Sequence, residues 1–227
     1  MNRVSPKWEH PQTVAGFTTG GPNEVLTAWA GRYRGATPHP RCLDIGCGAA
    51  RNAVALSAAG YRVVGTDLSM PMLVGAQVRL EFTPLDVPVD LVLAPMAPLP
   101  FRDRQFDLIV AHGVWNLAHS GAEFRSAVAE AARVARPGAG LFLFTFSRRT
   151  LPPDATPDAG ESFVFSSWNG EPQCFLTEAE LVGELAAAGF ARDSAGPLTE
   201  YNAPRPGERR LGGGPPVIYE GTFVRRS

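Results

Sequence analysis

The feature that most constrains the fold is an alternation of short apolar runs and helix-length stretches between Arg41 and Phe146. Runs such as DLIVA and LFLFTF are continuously apolar, which is typical of strands buried on both faces of a parallel sheet. Strands that alternate with helices of about ten residues form βαβ units and a doubly wound α/β sheet. The strands are predicted at 42–45, 61–66, 89–94, 106–111 and 141–146, and the helices at 51–59, 71–80 and 123–135.

Two segments flank this alternation, and the whole chain, 1–227, is predicted to be a single domain. Residues 1–35 are predicted to form an N-terminal lid with a helix over 22–34. Residues 147–176 lack a regular period. Because a segment of that length inside a compact domain is typical of a lid or a binding insert, it is predicted to cover the substrate site.

The chain beyond this insert returns to regular structure. Thr177 and Glu180 have the spacing of a capping box, in which each side chain accepts a backbone N–H, so a helix is predicted to begin there. Residues 201–216 are rich in Pro, Gly and Arg and are predicted to form a mobile loop. The alternating stretch PVIYEGTFV is predicted to be a strand at the edge of the sheet.

A glycine turn, Gly46-Cys47-Gly48, joins the first predicted strand to the helix after it. Such a turn lets a ligand approach the backbone closely, near the positive end of a helix. The carboxylate of Asp44 would repel a dinucleotide pyrophosphate at this turn but attract an ammonium group. The dinucleotide fingerprint also needs a third glycine, and Arg51 occupies that position. The turn therefore favours a cationic ligand.

A second carboxylate, Asp67, lies 21 residues after Gly46 at the end of the second predicted strand. A carboxylate at this position commonly accepts hydrogen bonds from the two hydroxyls of a ribose. The two acids and the glycine turn together predict a binding site for a nucleoside that carries a cationic amino-acid tail.

Four stretches of the chain resemble the motifs of the class I S-adenosylmethionine (SAM)-dependent methyltransferases. They are LDIGCGAARNAVAL, VVGTDLSMPML, APLPFRDRQFDLIVAHGVW and EAARVARPGAGLFLF, in the order and spacing of that family. The resemblance implies a Rossmann-like fold, with a doubly wound, mostly parallel sheet of seven strands and helices on both faces. It also implies SAM as cofactor and S-adenosylhomocysteine as product. The pair Arg51-Asn52 is similar, more weakly, to the tellurite-resistance branch of the family.

The resemblance also implies which residues hold the cofactor. The acids and glycines of the first two motifs would contact its methionine part and ribose, and the apolar residues after the second strand its adenine. Pro95 stands where the family often has an adenine-binding Asp, so a backbone contact at Met96 or Ala97 is expected instead. The predicted cofactor-binding residues are Asp44, Gly46, Cys47, Gly48, Arg51, Asp67, Leu68, Met72, Met96, Ala97 and His112.

Methyl transfer from a sulfonium is an in-line displacement, so holding the nucleophile and the methyl group in line contributes most of the catalysis. A general base is needed only when the nucleophile arrives protonated. His112 is the candidate catalytic base, with a cofactor-contacting wall residue as the alternative. The acceptor is expected to be a small molecule that is methylated on O or N, bound by aromatic and polar side chains. The predicted substrate-binding residues are Trp8, Phe17, Trp115, Asn116, Phe146 and Trp168.

Composition limits the class of partner. The 21 basic and 22 acidic residues give a net charge of −1, whereas nucleic-acid-binding proteins usually carry a basic excess. No apolar run reaches the roughly 18 residues of a membrane-spanning helix, and the first residues lack an apolar secretion signal. The three cysteines show neither a CxxC pair nor metal-site spacing. We therefore expect a cytoplasmic monomer or homodimer without a nucleic-acid, membrane or metal partner, with specialised metabolism as its setting.

Two other functions fit parts of the same pattern. An NAD(P)-dependent oxidoreductase has a similar sheet, although Asp44 and Arg51 argue against a pyrophosphate at the turn. A SAM-binding protein without methyl transfer would carry the same cofactor motifs, so the sequence does not separate it from an enzyme.

Overall fold

The computed structural model describes residues 5–32, 38–194, 196–203 and 214–226. Its sheet contains five parallel strands, which correspond to the five strands predicted from the sequence. The strands are β1 (Arg41–Ile45), β2 (Arg62–Asp67), β3 (Val89–Leu93), β4 (Phe106–His112) and β5 (Ala135–Phe146). They lie in the spatial order β3-β2-β1-β4-β5, so the chain crosses from one side of β1 to the other before β4. In such sheets ligands bind beyond the carboxyl ends of the strands at this switch point.

Three antiparallel strands extend the sheet beyond β5. They are β8 (Phe190–Arg192), β9 (Thr199–Tyr201) and β10 (Ile218–Arg225). β10 pairs with β5 on one side and with β8 and β9 on the other. The predicted edge position of the last strand is therefore wrong, because the short strands β8 and β9 occupy the edge and leave β10 mostly buried. Within the described residues the mostly parallel sheet has eight strands, which confirms the predicted class.

Helices cover both faces of this sheet. Because side chains alternate along a strand, Leu43 and Leu141 face the apolar cluster that contains Phe124, whereas Cys42 and Phe142 face a second cluster on the other side. The helices are α1 (Pro11–Thr19), α2 (Glu24–Arg32), α3 (Arg51–Ala58), α4 (Met70–Glu81), α5 (Gly121–Val134) and α6 (Glu178–Ala187). The remaining elements are the 3-10 helices η1 (Pro6–Trp8), η2 (Trp115–Leu117) and η3 (Arg148–Thr150), and a hairpin of β6 (Val164–Phe165) and β7 (Gln173–Cys174).

Several boundaries of helices, strands and loops differ between the sequence-based prediction and the structure. The helix predicted over 22–34 is the shorter α2, and residues 33 and 34 lie outside the described ranges. Most of the loop predicted over 201–216 also lies outside them. The segment Arg136-Pro137-Gly138 does end a helix, but it already belongs to β5, because the strand pairs with β4 through a register shift there.

The capping box at the start of α6 is confirmed. The hydroxyl of Thr177 accepts the backbone N–H of Glu180 at 3.3 Å, and the Glu180 carboxylate accepts the backbone N–H of Thr177 at 2.8 Å. Two of the unpaired N–H groups at this helix end are thereby satisfied.

Removing the cap is expected to destabilise the protein. Thr177→Ala leaves the Glu180 N–H without its side-chain acceptor, and the free energy of unfolding should fall by about 1 kcal/mol. Urea unfolding followed by circular dichroism measures the change. Thr177→Ser keeps the hydroxyl and is the matched control; equal losses in both variants would show that the cap does not stabilise α6.

Candidate active site

A cavity of about 700 Å³ opens at the carboxyl ends of β1, β2 and β4, where the strand order switches. It brings together the predicted residues from the glycine turn, the end of β2, the loop after β4, the N-terminal segment and the insert. Asp44, Cys47 and Trp115 do not line it. The predicted residues that do are Trp8, Phe17, Gly46, Gly48, Arg51, Asp67, Leu68, Met72, Met96, Ala97, His112, Asn116, Phe146 and Trp168.

The glycine turn between β1 and α3 needs its glycines for both conformation and space. Gly46 and Gly48 have φ of 69° and 53°, in the left-handed region that side chains disfavour. A Cβ on Gly46 would lie 2.7 Å from Cγ2 of Val114, and one on Gly48 would lie 3.3 Å from the ring of Phe17. The bare backbone of the turn therefore forms part of the cavity wall.

Asp67 ends β2 with its carboxylate fixed by the backbone. One oxygen accepts the N–H of Gly48 at 2.9 Å and the other accepts the N–H of Ser69 at 2.8 Å. Burial raises the pKa of Asp67, and these N–H donors oppose that rise. The arrangement places a hydrogen-bond acceptor beside the glycine turn, as a ribose site requires.

Asp44 lies beneath the turn and is 1% exposed. Neither of its carboxylate oxygens has a hydrogen-bond partner within the described residues. Burial, followed by the nearby charge of Asp67, raises the pKa of Asp44 to about 7, and the charge of Arg51 opposes the rise. A buried carboxylate that no hydrogen bond satisfies, and that only the charge of Arg51 offsets, fits a cationic ligand group near the turn.

Two predicted site residues belong to the packed interior instead. Sγ of Cys47 would lie 2.8 Å from a Cβ on Gly65, so this side chain fills the space over β2. Trp115 is fully buried and packs edge-to-face on Phe124, with ring centroids 6.3 Å apart. The prediction that Trp115 contacts the substrate is therefore wrong. The 3-10 helix η2 directs the indole of Trp115 into the core, whereas Asn116 of the same helix lines the cavity.

His112 ends β4 and stacks on Phe144, with ring centroids 4.3 Å apart. Burial, together with the positive charge of Arg51, lowers the pKa of His112 to about 4. The imidazole is therefore neutral at neutral pH. A group with so low a pKa is a weaker base than one near 7.

A buried polar network holds this imidazole in place. Nδ2 of Asn23 lies 3.2 Å from Nε2 of His112 and donates to Oε2 of Glu220 at 2.6 Å. The oxygen of the same amide accepts the backbone N–H of Leu26 at 2.8 Å, so the amide nitrogen faces the imidazole. Because Nε2 then accepts a hydrogen bond from Asn23, the geometry favours a cavity-wall role for His112, and its role as base stays a prediction.

The N-terminal segment covers one side of the cavity. Trp8 and Phe17 pack edge-to-face at 5.7 Å, and the guanidinium of Arg51 lies 5.4 Å from the Phe17 ring centre. Arg79 of α4 donates to the backbone oxygens of Phe17, Thr18 and Gly20 at the end of α1. A cation that caps helix carbonyls in this way anchors α1 to α4.

Three polar residues of the site were absent from the predicted set. Asn23 precedes an acidic residue at a helix start, which is a recognisable N-cap pattern. Glu220 is a lone charge inside an apolar strand, and such a residue in a buried strand signals a polar partner. Gln173 lies in the aperiodic insert and had no comparable signal in the sequence.

Comparisons with known proteins agree with this geometry. The family described as "Methyltransferase domain" matches residues 43–143. A demethylmenaquinone methyltransferase of Renibacterium salmoninarum is 33% identical over 124 residues, which cover 54% of this chain and 48% of the relative. One from Corynebacterium urealyticum is 32% identical over 157 residues, which cover 69% and 62%.

One solved structure with a similar fold has a bound cofactor product. It is the Burkholderia thailandensis 1,6-didemethyltoxoflavin-N1-methyltransferase with bound 1,6-didemethyltoxoflavin and S-adenosylhomocysteine. Its TM-score is 0.63 at 18% identity, with 100% of this chain and 93% of that chain covered.

The fold, the glycine turn with its two carboxylates and these likenesses agree with one class of protein. Residues 43–143 are similar to the methyltransferase domain family, the sheet has the class I methyltransferase fold, and SAM is the cofactor of that family. The matches span 48% and 62% of the two curated relatives' own lengths. The closer likeness to the tellurite-resistance branch stays a prediction. In the described part of the chain, no helix is long and apolar enough to cross a bilayer.

SAM affinity is expected to depend on pH through Asp44. Its carboxyl has a pKa of about 7 in the free protein, and only the ionised form attracts the ligand's ammonium group. Affinity should therefore fall by up to about tenfold per unit as the pH drops below about 7. It should also weaken above about pH 8, where an α-amino group loses its proton.

Calorimetric titration between about pH 5 and 9 measures this profile. Asp44→Asn cannot ionise, so the loss of affinity on the acid side should vanish, and affinity near neutral pH should be lower than in the wild type. Asp90→Asn changes an exposed carboxylate of β3 and should keep the wild-type profile. A wild-type affinity that is constant from about pH 5 to 7 would contradict the assignment.

Removing the Asp67 carboxylate is expected to weaken SAM binding. Hydrogen bonds to a charged group contribute about 1.5–3 kcal/mol, so Asp67→Ala should raise the Kd by roughly tenfold or more. Calorimetry measures the Kd, and thermal unfolding checks that the turn is intact without its Gly48 and Ser69 contacts. Asp90→Ala should leave the Kd unchanged. A folded Asp67→Ala protein with wild-type affinity would exclude the ribose role.

Proposed function

We propose that the protein transfers the methyl group of SAM to an oxygen or nitrogen atom of a small, planar acceptor. The observation that carries this proposal is the continuity of one cavity. The glycine turn and Asp67 line one part of it, and Phe144, Phe146 and Trp168 line another. Aromatic walls favour a flat apolar ring, and the relatives above are named for demethylmenaquinone and 1,6-didemethyltoxoflavin.

The donor half of the cavity fits the cofactor on structural grounds. The turn offers bare backbone where any Cβ would collide, and Asp44 offers a carboxylate with no partner among the described residues. Gly46 and Gly48 would hold the methionine part, Asp67 the ribose, and Leu68 the adenine. When bound, SAM supplies an electrophilic methyl group on a positively charged sulfur.

The chain's own contribution is to position the acceptor and to exclude water. Trp8 and Phe17 cover the donor half, and the stacked pair of His112 and Phe144 forms a rigid wall. Correct alignment of two reactants contributes up to about 7–11 kcal/mol in well-oriented model reactions. His112 would accept a proton only from a strongly acidic acceptor, because its pKa is about 4. An acceptor that arrives ionised, such as a phenolate, needs no protein base.

The biological setting belongs to the same proposal. The aromatic cavity walls favour a cyclic acceptor. The proposed setting is specialised metabolism in the cytoplasm, with the protein acting as a monomer or a homodimer without a nucleic-acid partner. Quinone biosynthesis is the second candidate setting, supported by relatives named as demethylmenaquinone methyltransferases.

Transfer of an isotopically labelled methyl group tests the activity. The purified protein is incubated with SAM that carries a deuterated methyl group and with a panel of hydroxylated and aminated aromatic compounds. Mass spectrometry should find one deuterated methyl on at least one member, located on O or N, with S-adenosylhomocysteine formed in equal amount. The Asp67→Ala variant should be slower at low SAM, and Asp90→Ala should match the wild type.

A parallel calorimetric titration separates the alternative functions. Tight binding of SAM and S-adenosylhomocysteine without NAD binding supports the methyltransferase. Binding of NAD alone would replace the proposal with an oxidoreductase. SAM binding without transfer across the panel would identify a SAM-binding protein of another activity.

A further inference from the structure

The acceptor half of the cavity contains two buried carboxamides that the protein itself leaves unpaired. Gln173 is 6% exposed and Asn116 is 1% exposed, and both line the cavity. The oxygens Oε1 of Gln173 and Oδ1 of Asn116 are buried without a hydrogen-bond partner in the described residues. Buried polar groups are nearly always hydrogen-bonded, and each exception needs an explanation.

The two carboxamides lie on elements that pack against each other. β7, which carries Gln173, lies against η2, which carries Asn116. Sγ of Cys174 donates to the backbone oxygen of Ala118 at 3.4 Å and fixes β7 to the chain just after η2. Since neighbouring residues of a strand face opposite sides, anchoring Cys174 in the interior leaves Gln173 facing the cavity.

The chemistry of these groups limits what they bind. A carboxamide offers one C=O acceptor and two N–H donors without a net charge. A hydroxyl or a carbonyl satisfies such groups, whereas a charged ligand group would be desolvated there without an opposite charge. Phe146 and Trp168 line the same cavity, so the surface next to the carboxamides is aromatic.

We propose that Gln173 and Asn116 determine acceptor specificity by hydrogen-bonding a neutral hydroxyl or carbonyl group of an aromatic acceptor. The inference rests on the proposed function, because it names the acceptor class of that same site. Neither residue is needed for cofactor binding. Both act before the chemical step, by selecting the acceptor and fixing its orientation.

A stability measurement separates this role from a structural one. A buried amide that stabilises the fold loses hydrogen bonds when it is replaced by an apolar side chain of similar size. An unpaired amide loses none, and its replacement is neutral or stabilising. Gln173→Leu should therefore unfold at the wild-type temperature or above it. Gln77→Leu makes the same change on the exposed side of α4 and is the matched control.

Two probes of similar size, naphthol and methylnaphthalene, test the specificity. Their affinities are measured by calorimetry on protein saturated with S-adenosylhomocysteine. The wild type and Gln77→Leu should bind naphthol at least about tenfold more tightly than methylnaphthalene, because the apolar probe leaves the amides unpaired. In Gln173→Leu the ratio of the naphthol affinity to the methylnaphthalene affinity should fall towards one, and the Kd for S-adenosylhomocysteine should be unchanged.

Each result decides the inference. Equal ratios in the wild type and in Gln173→Leu would overturn it, as would a wild type that binds neither probe or binds both equally. A lowered unfolding temperature in Gln173→Leu would assign the residue a structural role. If Gln173→Leu does not fold, the same ratio of probe affinities is measured in Asn116→Ala. A ratio equal to that of the wild type would again overturn the inference. Failure of the wild type to bind S-adenosylhomocysteine would overturn the proposed function itself.

Discussion

The buried carboxylate of Asp44 is the constraint around which the donor half of the site is built. Its pKa of about 7, against an ordinary value of 3.8, means that the folded protein keeps a proton that the unfolded chain releases. This group's contribution to stability is therefore present below about pH 4 and is lost as the pH rises towards about 7. In the protein itself only the charge of Arg51 opposes the rise in this pKa, and a bound cationic ligand would add a second opposite charge. Because the ligand binds only the folded state, it restores stability by mass action.

The turn above Asp44 depends on contacts from three directions. Val114, from the loop after β4, lies against Gly46, and Phe17, from α1, lies against Gly48. Cys47 fills the space over Gly65 of β2. The conformation of the turn is thus determined by tertiary packing as much as by its glycines. It follows that the N-terminal segment supports the turn of the proposed cofactor site, although it precedes the βαβ units.

The sequence predicted the parallel strands well because continuous apolar runs have one physical explanation, burial on both faces. Most of the site residues that it predicted line the cavity, since the carboxyl ends of neighbouring strands meet at one edge. Trp115 was misplaced because an aromatic residue after a strand fits a core and a cavity wall equally well. Helix α1 was missed because none of its residues is fully buried, so it carries little apolar periodicity. The position of β10 depends on long-range pairing, which local pattern does not encode.

The two halves of the cavity differ in how their polar groups are satisfied. Asp67 already accepts two backbone N–H groups, so the protein fixes its direction before any ligand arrives. Gln173 and Asn116 have unpaired oxygens, so their orientation depends on what binds. Gln173 also belongs to the insert rather than to a βαβ unit, and loop segments vary without disturbing the sheet that carries them. On the function proposed above, the donor site is therefore preorganised by the fold, whereas acceptor choice would reside in side chains that the fold does not require.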